Sequence, residues 1–423
     1  LMRKTIIYYA CLVNEFRKAK ERNTMSRTIG TVVRGVRAPI FRQGDDVVTI
    51  AADTVANALA EEGITPHDKD VVAITESVVA RCQGNYATVE QIAADVKAKT
   101  GGKTVGVTFP ILSRNRFSLL LTGIASGVEK VVLLLSLPSD EVGNHLVSMD
   151  QLDEAGVDPY RDVLTLEQFR GHFGSVVHPF TGVDYVDYYK GIIEGAGAQA
   201  EIIFSNRVQS VLPYTGTVIC CDIHTRQRSK RLLKAAGAQC VLGLDDLLTS
   251  SVDGSGYNPQ YGLLGSNKAD DNRVKLFPRD TMAVAEALGE AMSQRTGKHI
   301  EAMIYGDGAF KDPAGKIWEL ADPVVSPGYT HGLIGTPNEL KLKYLADKDF
   351  ADLKGDALQQ AISEKIRQKD AKVSLVGNMI SEGTTPRNLT DLIGSLCDLT
   401  SGSGDKGTPI VYIQGYFDNY TTD

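Results

Sequence analysis

The sequence predicts an α/β protein, in which a mixed α+β part carries an inserted, doubly wound parallel sheet. The main observation lies between residues 104 and 256, where short apolar strands alternate with helix-like segments. Such alternation is typical of parallel strands whose connecting helices cover both faces of one sheet. The second observation is the length of 423 residues. A chain of this size exceeds a usual single hydrophobic core, which indicates two domains or more.

Composition and charge restrict the kind of protein. The apolar fraction of 43% and the charged fraction of 23% are ordinary for a globular protein. The formal charge of −7, from 52 acidic and 45 basic residues, provides no large basic surface and argues against nucleic acid as the main partner. No apolar run reaches the length of a membrane span. The six cysteines show neither a C-x-x-C pair nor zinc spacing, so we expect reduced thiols in a cytoplasmic protein.

Residues 1–24 differ from the rest of the chain, and we expect them to be a non-native leader. Leu1 is not a normal initiator, whereas Met25 opens a plausible strand of its own. A signal peptide is the alternative, because Lys4 precedes an apolar stretch that reaches Val13. That stretch is short, and no small-residue cleavage site follows it. The fold prediction therefore leaves these residues out.

Between residues 25 and 103 the sequence predicts two helices and a buried strand. Gly44-Asp45-Asp46 marks the start of the first helix, because acidic residues near a helix N-terminus interact favourably with the helix dipole. Gly63 ends that helix. The predicted elements are a strand and loop over 27–41, a helix from Gly44 to Glu62, a strand over Lys69–Thr75 and a helix over Val89–Lys99.

The tetrad Gly101-Gly102-Lys103-Thr104 is similar to part of a phosphate-binding loop, but its context argues against that function. Lys97 stands where the first glycine of such a loop is required. The tetrad also precedes a strand instead of joining a strand to a helix. We therefore predict a turn.

Polar side chains follow the strands predicted in the middle of the chain. In a doubly wound sheet a ligand binds at the carboxyl ends of the strands. Those ends carry residues 113–116, 139–141 and 222–226, and arginines there can bind a carboxylate or a phosphate with two hydrogen bonds. A polar sheet edge without a ligand fits the same pattern. The predicted elements are the strands Val105–Phe109, Val131–Ser136, Glu201–Ser205, Thr217–Cys221 and Cys240–Leu244, with helices at Ser118–Gly127 and Ser229–Ala236.

Two polar loops form the most informative part of the chain. The first, Tyr257–Arg273, and the second, Gly306–Pro313, are separated by a long amphipathic helix and the strand Ile300–Tyr305. Carboxylates hold a hard cation such as magnesium or manganese, and glycines let backbone amides approach phosphate oxygens. Two such loops facing each other would bind a polyanionic ligand with its metal. Solvated turns are the alternative.

The C-terminal part predicts a helix, two strands and a glycine-rich loop. The loop Thr400–Pro409 leads directly into the strand Ile410–Gln414. A loop of this composition is usually a linker. Its direct connection to a strand also suits a loop that contacts phosphate. The other predicted elements are a helix over Asp356–Gln368 and a strand near Val373–Val376.

Three blocks of residues resemble the gamma-glutamyl ligases that add glutamate to the deazaflavin coenzyme F-420. The first block runs from Gly44 to Asn85 and contains the string ITESVVARCQGN. The second runs from Gly262 to Asp307 and begins with GLLGSN. The third runs from Gly404 to Tyr416 and begins with GDKGTP. Their order and spacing carry the resemblance, which covers roughly residues 27–103 and 257–423.

The resemblance implies a domain division and an activity. Residues 25–103 and 257–423 would form a domain similar to a gamma-glutamyl ligase, and residues 104–256 would be an inserted, Rossmann-like α/β domain. The activity implied is that of a GTP- or ATP-dependent amide ligase with magnesium or manganese, usually a homodimer. Such an enzyme activates a carboxylate as an acyl phosphate and captures it with the amine of L-glutamate or a similar amino acid.

The matched positions imply the residues of the active site. The metal-binding aspartate of the family falls on Leu264, so Asp270 or Asp271 would replace it. A second metal aspartate is displaced from Gly306 to its neighbour. The resemblance implies Asp307, Asp270, Asp271 and Asp312 as metal ligands, Asp307 and Arg81 as catalytic residues, and Ser266, Asn267, Asn85, Asp405 and Lys406 as contacts to the nucleotide or substrate.

Some polar residues are assigned no role in that site. We expect Arg273 and Lys275 to lie on a solvated face of a strand. His331 could orient a substrate, or it could be a hydrogen-bonded surface residue. Two other functions also remain open for the whole chain. One is a non-catalytic nucleotide- or metabolite-binding protein, and the other is a phosphotransferase.

Overall fold

The computed structural model describes most of the chain. It includes residues 29–179, 181–306, 309–311, 318–320, 326–369, 373–381, 388–402 and 404–422. The expected leader, residues 1–24, and the predicted metal ligands Asp307 and Asp312 lie outside these residues.

The strands and helices alternate along much of the chain. The strands are β1 (Val32–Val36), β2 (Val71–Thr75), β3 (Tyr86–Thr88), β4 (Thr104–Thr108), β5 (Lys130–Leu135), β6 (Leu164–Thr165), β7 (Gln199–Phe204), β8 (Thr217–Cys220), β9 (Cys240–Gly243), β10 (Asn267–Lys268), β11 (Arg273–Lys275), β12 (Glu301–Tyr305), β13 (Ala309–Lys311), β14 (Trp318–Leu320), β15 (Gly328–Tyr329) and β16 (Ile410–Gln414). The helices are α1 (Val47–Glu61), α2 (Glu76–Cys82), α3 (Val89–Thr100), α4 (Ser118–Ser126), α5 (Met149–Ala155), α6 (Leu166–Phe173), α7 (Tyr185–Gly195), α8 (Arg226–Ala235), α9 (Thr281–Thr296), α10 (Leu342–Tyr344), α11 (Gly355–Arg367) and α12 (Leu389–Thr400).

A five-stranded mixed sheet joins residues from the two ends of the chain. Its strand order is β1-β16-β2-β12-β15, and β2 and β12 run parallel with Thr75 opposite Tyr305. Helices α1 and α9 pack on the face that carries Val72 and Ile74. Helix α12 packs on the other face. Because β2 is buried on both faces, its sequence is continuously apolar, as predicted.

Helix α1 begins at Val47, directly after the predicted acidic segment, and ends at Glu61, one residue before the predicted end. The Asp46 carboxylate caps the helix and accepts hydrogen bonds from the backbone amides of Val48 and Thr49, each at 3.2 Å. A cap of this kind satisfies amides that have no partner within the first helical turn. Gly63, at φ +63°, follows the last turn. The tetrad after α3 is also a turn, as predicted, since Gly101 ends that helix with φ +77°.

A six-stranded sheet is formed by residues 104–243. Its order is β6-β7-β5-β4-β8-β9, and all neighbours are parallel except β6 and β7. Helices α3, α4 and α7 cover one face, and α8 covers the other. This confirms the α/β class and the doubly wound sheet that the alternating pattern predicts. The proposed division into two domains stays a prediction.

Short segments fix the six-stranded sheet to the rest of the protein. The antiparallel sheet β10-β11-β3 pairs β3, which precedes the six-stranded sheet in the chain, with β11, which follows it. Leu263 and Leu264 pack in the same core as α3 and α4. The backbone amide of Lys268 donates to the carbonyl of Asn115 at 2.8 Å. The loop that follows β4 is therefore held beside β10.

Some predicted elements differ from the observed ones. The strand predicted near Val373–Val376 is wrong, because both valines are exposed and the segment forms turns. Helices α2, α5, α6, α7, α10 and α12 were not predicted. In α2 the helix follows β2 without an intervening turn residue, so the sequence offers no boundary signal. Within the described residues, no helix has the length and apolarity that crossing a membrane requires.

Candidate active site at the carboxyl ends of β2 and β12

A cavity of about 430 Å³ opens where the parallel strands β2 and β12 end. Thr75 and Glu76 continue from β2, and Tyr305 and Gly306 continue from β12. The opposite wall comes from the segment Asn267–Ala269. The two polar loops identified in the sequence thus contribute to one cavity. The remaining lining residues are Ser77, Arg81, Tyr86, Lys275, Asp398 and Ser401.

A buried ion pair forms part of the cavity wall. Lys275 Nζ lies 2.8 Å from Glu76 Oε1, and each side chain is 9% exposed. The other carboxylate oxygen, Glu76 Oε2, is buried and has no hydrogen-bond partner among the described residues. A buried carboxylate oxygen without a partner is energetically costly. A cation or a donor from a ligand would satisfy it.

The burial of Lys275 corrects the prediction that this residue is solvated. Arg273 and Lys275 share a face of β11, since side chains alternate along a strand. Arg273 stays about half exposed, pairs with Asp270 and lies over the ring of Tyr86. Lys275 instead meets Glu76, which comes from the distant β2–α2 junction. The sequence gives no local signal for such a contact.

The cavity carries more basic than acidic side chains. Among the described lining residues, Arg81, Lys268 and Lys275 are basic, and Glu76 and Asp398 are acidic. A lining of this kind attracts anionic ligands. Burial raises the pKa of the Tyr305 phenol, so this side chain enters the cavity wall as a neutral hydroxyl group.

Arg116 adds a further positive charge close to the cavity. Burial lowers the pKa of its guanidinium, and the carboxylates of Glu76 and Asp398 oppose that shift. Both carboxylates line the cavity, so the positive charge of the guanidinium contributes to the electrostatic potential in the cavity. Arginine keeps its charge in proteins because its ordinary pKa lies far above neutral pH.

A glycine fixes the segment that forms the opposite wall. Gly265 has φ +73°, a backbone conformation that favours glycine. A Cβ atom at this position would overlap the ring of Phe277. The next residues, Ser266 and Asn267, enter β10, where Asn267 lies opposite Lys275. Gly265 therefore allows the close approach that aligns this wall with the buried ion pair.

Of the predicted site residues, Arg81 and Asn267 line the cavity. Ser266 lies behind it, in a second and smaller cavity of about 60 Å³. Asn85 does not line either cavity. It is fully buried, donates to Phe277 O at 2.6 Å, and accepts from the amide of Tyr257 at 2.9 Å. These bonds occupy its amide in joining two segments.

The predicted metal ligands Asp270 and Asp271 lie at the surface and do not line the cavity. Hydrogen bonds from the backbone amide of Asn272, and then from Arg273, lower the pKa of Asp270. Asp271 is fully exposed and lies 3.0 Å from Lys268 Nζ. Their role as ligands remains a prediction that this geometry does not support.

The remaining predicted residues lie away from the cavity or outside the described residues. Asp405 and Lys406 are exposed in the turn before β16. The carbonyl of Gly407 accepts from the amide of Ala38 at 3.1 Å. Asp307 and Asp312 lie outside the described residues, so their roles stay predictions.

Sequence reasoning missed several residues that line the cavity. Glu76 follows a buried strand directly and lies within the first block of the resemblance, so its position was a usable signal. Tyr305 precedes the second polar loop and was taken only as the end of a strand. Asp398 lies in the last turn of α12, and Ser401 follows that helix directly. Because the helix was not predicted, the sequence did not indicate that these two residues reach the cavity.

The described residues can hold part of a divalent metal site. They contain no cluster of three or more histidine, cysteine or acidic side chains suited to a metal ion. The cavity nevertheless offers Asp398 and the unpartnered Glu76 Oε2. Magnesium is commonly held by one or two carboxylates together with phosphate oxygens of the substrate. This donor set fits a metal that arrives with a nucleotide.

An α/β fold with a basic cavity at the ends of parallel strands is typical of enzymes that act on small anionic molecules. A sequence model of the family described as F420-0:gamma-glutamyl ligase matches residues 35–415 of this chain. The chain therefore belongs to the F420-0:gamma-glutamyl ligase family. The matched range includes residues 104–256, which the resemblance in the sequence did not cover. No curated protein matches the chain.

Proposed function

We propose that this protein is a nucleotide- and metal-dependent gamma-glutamyl ligase. It would join an amino acid such as L-glutamate to a small-molecule carboxylate through an acyl phosphate, with the cavity at the ends of β2 and β12 as the active site. Family membership supports the ligase class. The observation that carries the choice of cavity is the buried pair of Lys275 and Glu76, whose Oε2 has no partner among the described residues.

The reaction has two balanced steps. An oxygen of the acceptor carboxylate attacks the γ-phosphorus of GTP or ATP, and the bond between this phosphorus and the leaving nucleoside diphosphate breaks. The amine of the amino acid then attacks the carbonyl carbon, phosphate leaves with the electron pair of the C–O bond, and the nitrogen loses a proton. The products are an amide, the nucleoside diphosphate and phosphate, and no group is oxidised or reduced.

The basic side chains of the cavity would bind the charged reactants. Arg81, Lys268 and Lys275 line it and would neutralise the oxygens of the transferred phosphoryl group. Catalysis of phosphoryl transfer depends mainly on such positioning and charge neutralisation. Partial burial excludes water and strengthens these interactions. The same burial would protect an acyl phosphate from hydrolysis.

Magnesium or manganese would be held by Glu76 and Asp398 together with phosphate oxygens. The metal would supply charge neutralisation on the triphosphate. Lys275 would hold Glu76 in a fixed orientation, since Lys275 Nζ lies 2.8 Å from Glu76 Oε1. Asp307, which the resemblance implies as a ligand, would complete the donor set. We also propose a homodimer, as the resemblance implies, and a location in the cytoplasm, as the cysteine pattern predicts.

The test is the dependence of nucleotide turnover on the two organic substrates. The purified protein is incubated with GTP or ATP, magnesium or manganese, and F420-0, with and without L-glutamate. We expect release of the nucleoside diphosphate only with both substrates, in equal amounts with the amide of F420-0 and L-glutamate, which mass spectrometry measures. Phosphorylated acceptor without amide would indicate a phosphotransferase. A nucleotide-dependent rise in melting temperature without turnover would indicate a binding protein.

Two lysine variants, one at the buried ion pair and a control at an exposed pair, test the role of the ion pair in that assay. Lys275→Gln would remove the positive charge and should lower turnover by at least tenfold. Lys103→Gln removes a lysine from an exposed pair with Glu129 and should leave turnover unchanged. Equal activity of the two variants would remove the ion pair, and with it this cavity, from the proposed mechanism.

A further inference from the structure

We propose that Arg116 and Ser266 form a carboxylate-binding subsite behind the main cavity, which holds a carboxylate of the amino-acid substrate. This inference rests on the proposed function, because it names where the amine-bearing reactant of that reaction would bind. The resemblance implies Ser266 as a contact to the nucleotide or substrate, and it assigns no role to Arg116. The subsite uses one residue from the loop after β4 and one from the segment before β10.

The two residues line the same small cavity. Its volume is about 60 Å³, and its other walls include Phe117, Leu120 and Leu263. The space is large enough for a carboxylate group, but far below the several hundred cubic ångströms that a nucleotide requires. A charged guanidinium and a hydroxyl group in an otherwise apolar wall define where an anionic group would bind.

The hydroxyl group of Ser266 lacks a partner inside the protein. The residue is 2% exposed, and its Oγ makes no hydrogen bond to the described residues. A buried hydroxyl without a partner loses its hydration with no compensation. A carboxylate in the small cavity would accept this hydrogen bond. The unsatisfied hydroxyl therefore indicates that a ligand atom binds here.

Arg116 supplies the charge and lies within electrostatic reach of the main cavity. It lines the small cavity, and its guanidinium interacts with the carboxylates of Glu76 and Asp398 in the main cavity. The carboxylate of the amino-acid substrate would lie at Arg116 and Ser266, and its amino group, which loses a proton before it attacks the acyl phosphate, would extend toward the main cavity. That orientation places the nucleophilic nitrogen in the main cavity.

The subsite is held in a fixed position relative to the main cavity. The Asn115 carbonyl accepts from the amide of Lys268 at 2.8 Å, so the loop that carries Arg116 is bonded to β10. The amide of Arg116 donates to Ser113 Oγ at 3.2 Å. The backbone that carries Arg116 is thus fixed before a ligand arrives, which reduces the entropy lost on binding.

Calorimetric titration of the full chain with L-glutamate tests the proposal without nucleotide. L-glutamine amide, which lacks both carboxylates, serves as the matched ligand. We expect L-glutamate to bind the wild-type protein at least tenfold more tightly than the amide. Arg116→Gln should weaken L-glutamate binding by tenfold or more, because charge-assisted hydrogen bonds are lost. Arg114→Gln, at the exposed neighbouring arginine, should bind as the wild type does.

Ser266→Ala gives a second and less disruptive test. The Ser266 hydroxyl bonds to none of the described residues, so its removal should not lower the melting temperature, whereas L-glutamate affinity should fall severalfold. Wild-type affinity in both Ser266→Ala and Arg116→Gln would overturn the proposal, as would failure of the wild type to bind L-glutamate. If Arg116→Gln does not fold, Ser266→Ala decides. Absent nucleotide turnover with intact L-glutamate binding would contradict the proposed function alone.

Discussion

Lys275 and Glu76, separated by 199 residues in the sequence, form a buried ion pair with Nζ 2.8 Å from Oε1. The pair connects β11 to the first turn of α2 at the wall of the main cavity. Two charges removed from water stabilise each other only while both are present. Both the stability of this junction and the charge of the cavity therefore depend on the pair.

Removal of one partner should destabilise the protein strongly. Lys275→Met would leave the Glu76 carboxylate buried without its cation, at a cost of about 3–5 kcal/mol in the free energy of unfolding. Urea unfolding followed by circular dichroism measures this change. Lys103→Met breaks the exposed pair of Lys103 with Glu129 and should leave the urea midpoint unchanged. Equal midpoints for the two variants would show that the burial of Lys275 has no energetic consequence.

Alanine at Gly265 should be far more damaging than alanine at another glycine of similar conformation. Gly265 and Gly254 both have positive φ angles, +73° and +76°. Each substitution therefore imposes about 1–3 kcal/mol of backbone strain. Only at Gly265 would the new Cβ also overlap Phe277, while Gly254 has open space around it. We expect a clearly lower melting temperature for Gly265→Ala than for Gly254→Ala, and similar melting temperatures would contradict the close packing described.

Asp222 should make the stability of the protein depend on pH in a defined direction. Burial raises the pKa of Asp222 above its ordinary value of 3.8. Its Oδ2 accepts hydrogen bonds from Ser229 and Thr225, while its Oδ1 is buried without a partner among the described residues. A carboxyl group with a raised pKa stabilises the fold below its unfolded pKa, and that contribution is lost as pH rises through the folded pKa.

The matched measurement compares the wild type with Asp222→Asn, whose amide cannot ionise. As pH rises from 3.8 toward the raised pKa, the free energy of unfolding of the variant should increase relative to that of the wild type. Above that pKa the difference should become constant. Urea unfolding at several pH values between 4 and 7 measures it. A difference that does not change with pH would show that Asp222 titrates normally in the folded protein.

Asp307→Asn tests the displaced metal aspartate that the sequence implies. If Asp307 holds the metal, loss of its charge should reduce amide formation at least a hundredfold, which corresponds to about 3 kcal/mol in the activation barrier. The melting temperature should not change, because asparagine has nearly the same shape as aspartate and keeps a side-chain oxygen that accepts hydrogen bonds. Activity and a thermal melt are measured on one preparation. Near wild-type turnover would remove Asp307 from the metal site.

The sequence by itself determined the elements that depend on local patterns. The acidic cap at Asp46 and the glycine at 63 bounded α1, because both satisfy the needs of helix ends within a few residues. The apolar runs of β2 and β12 were recognisable because strands buried on both faces carry almost no polar residues. The alternation of strands and helices likewise predicted the doubly wound sheet.

The tertiary structure alone decided which polar side chains meet. Asn85 was expected to contact the ligand, yet Phe277 and Tyr257 occupy its amide. Lys275 was expected in solvent, yet it is buried against Glu76. A side chain's burial and charge environment are set by partners that the fold brings together from distant positions, and no local pattern records them. The contact between Lys275 and Glu76 therefore forms only because the fold packs β11 against α2.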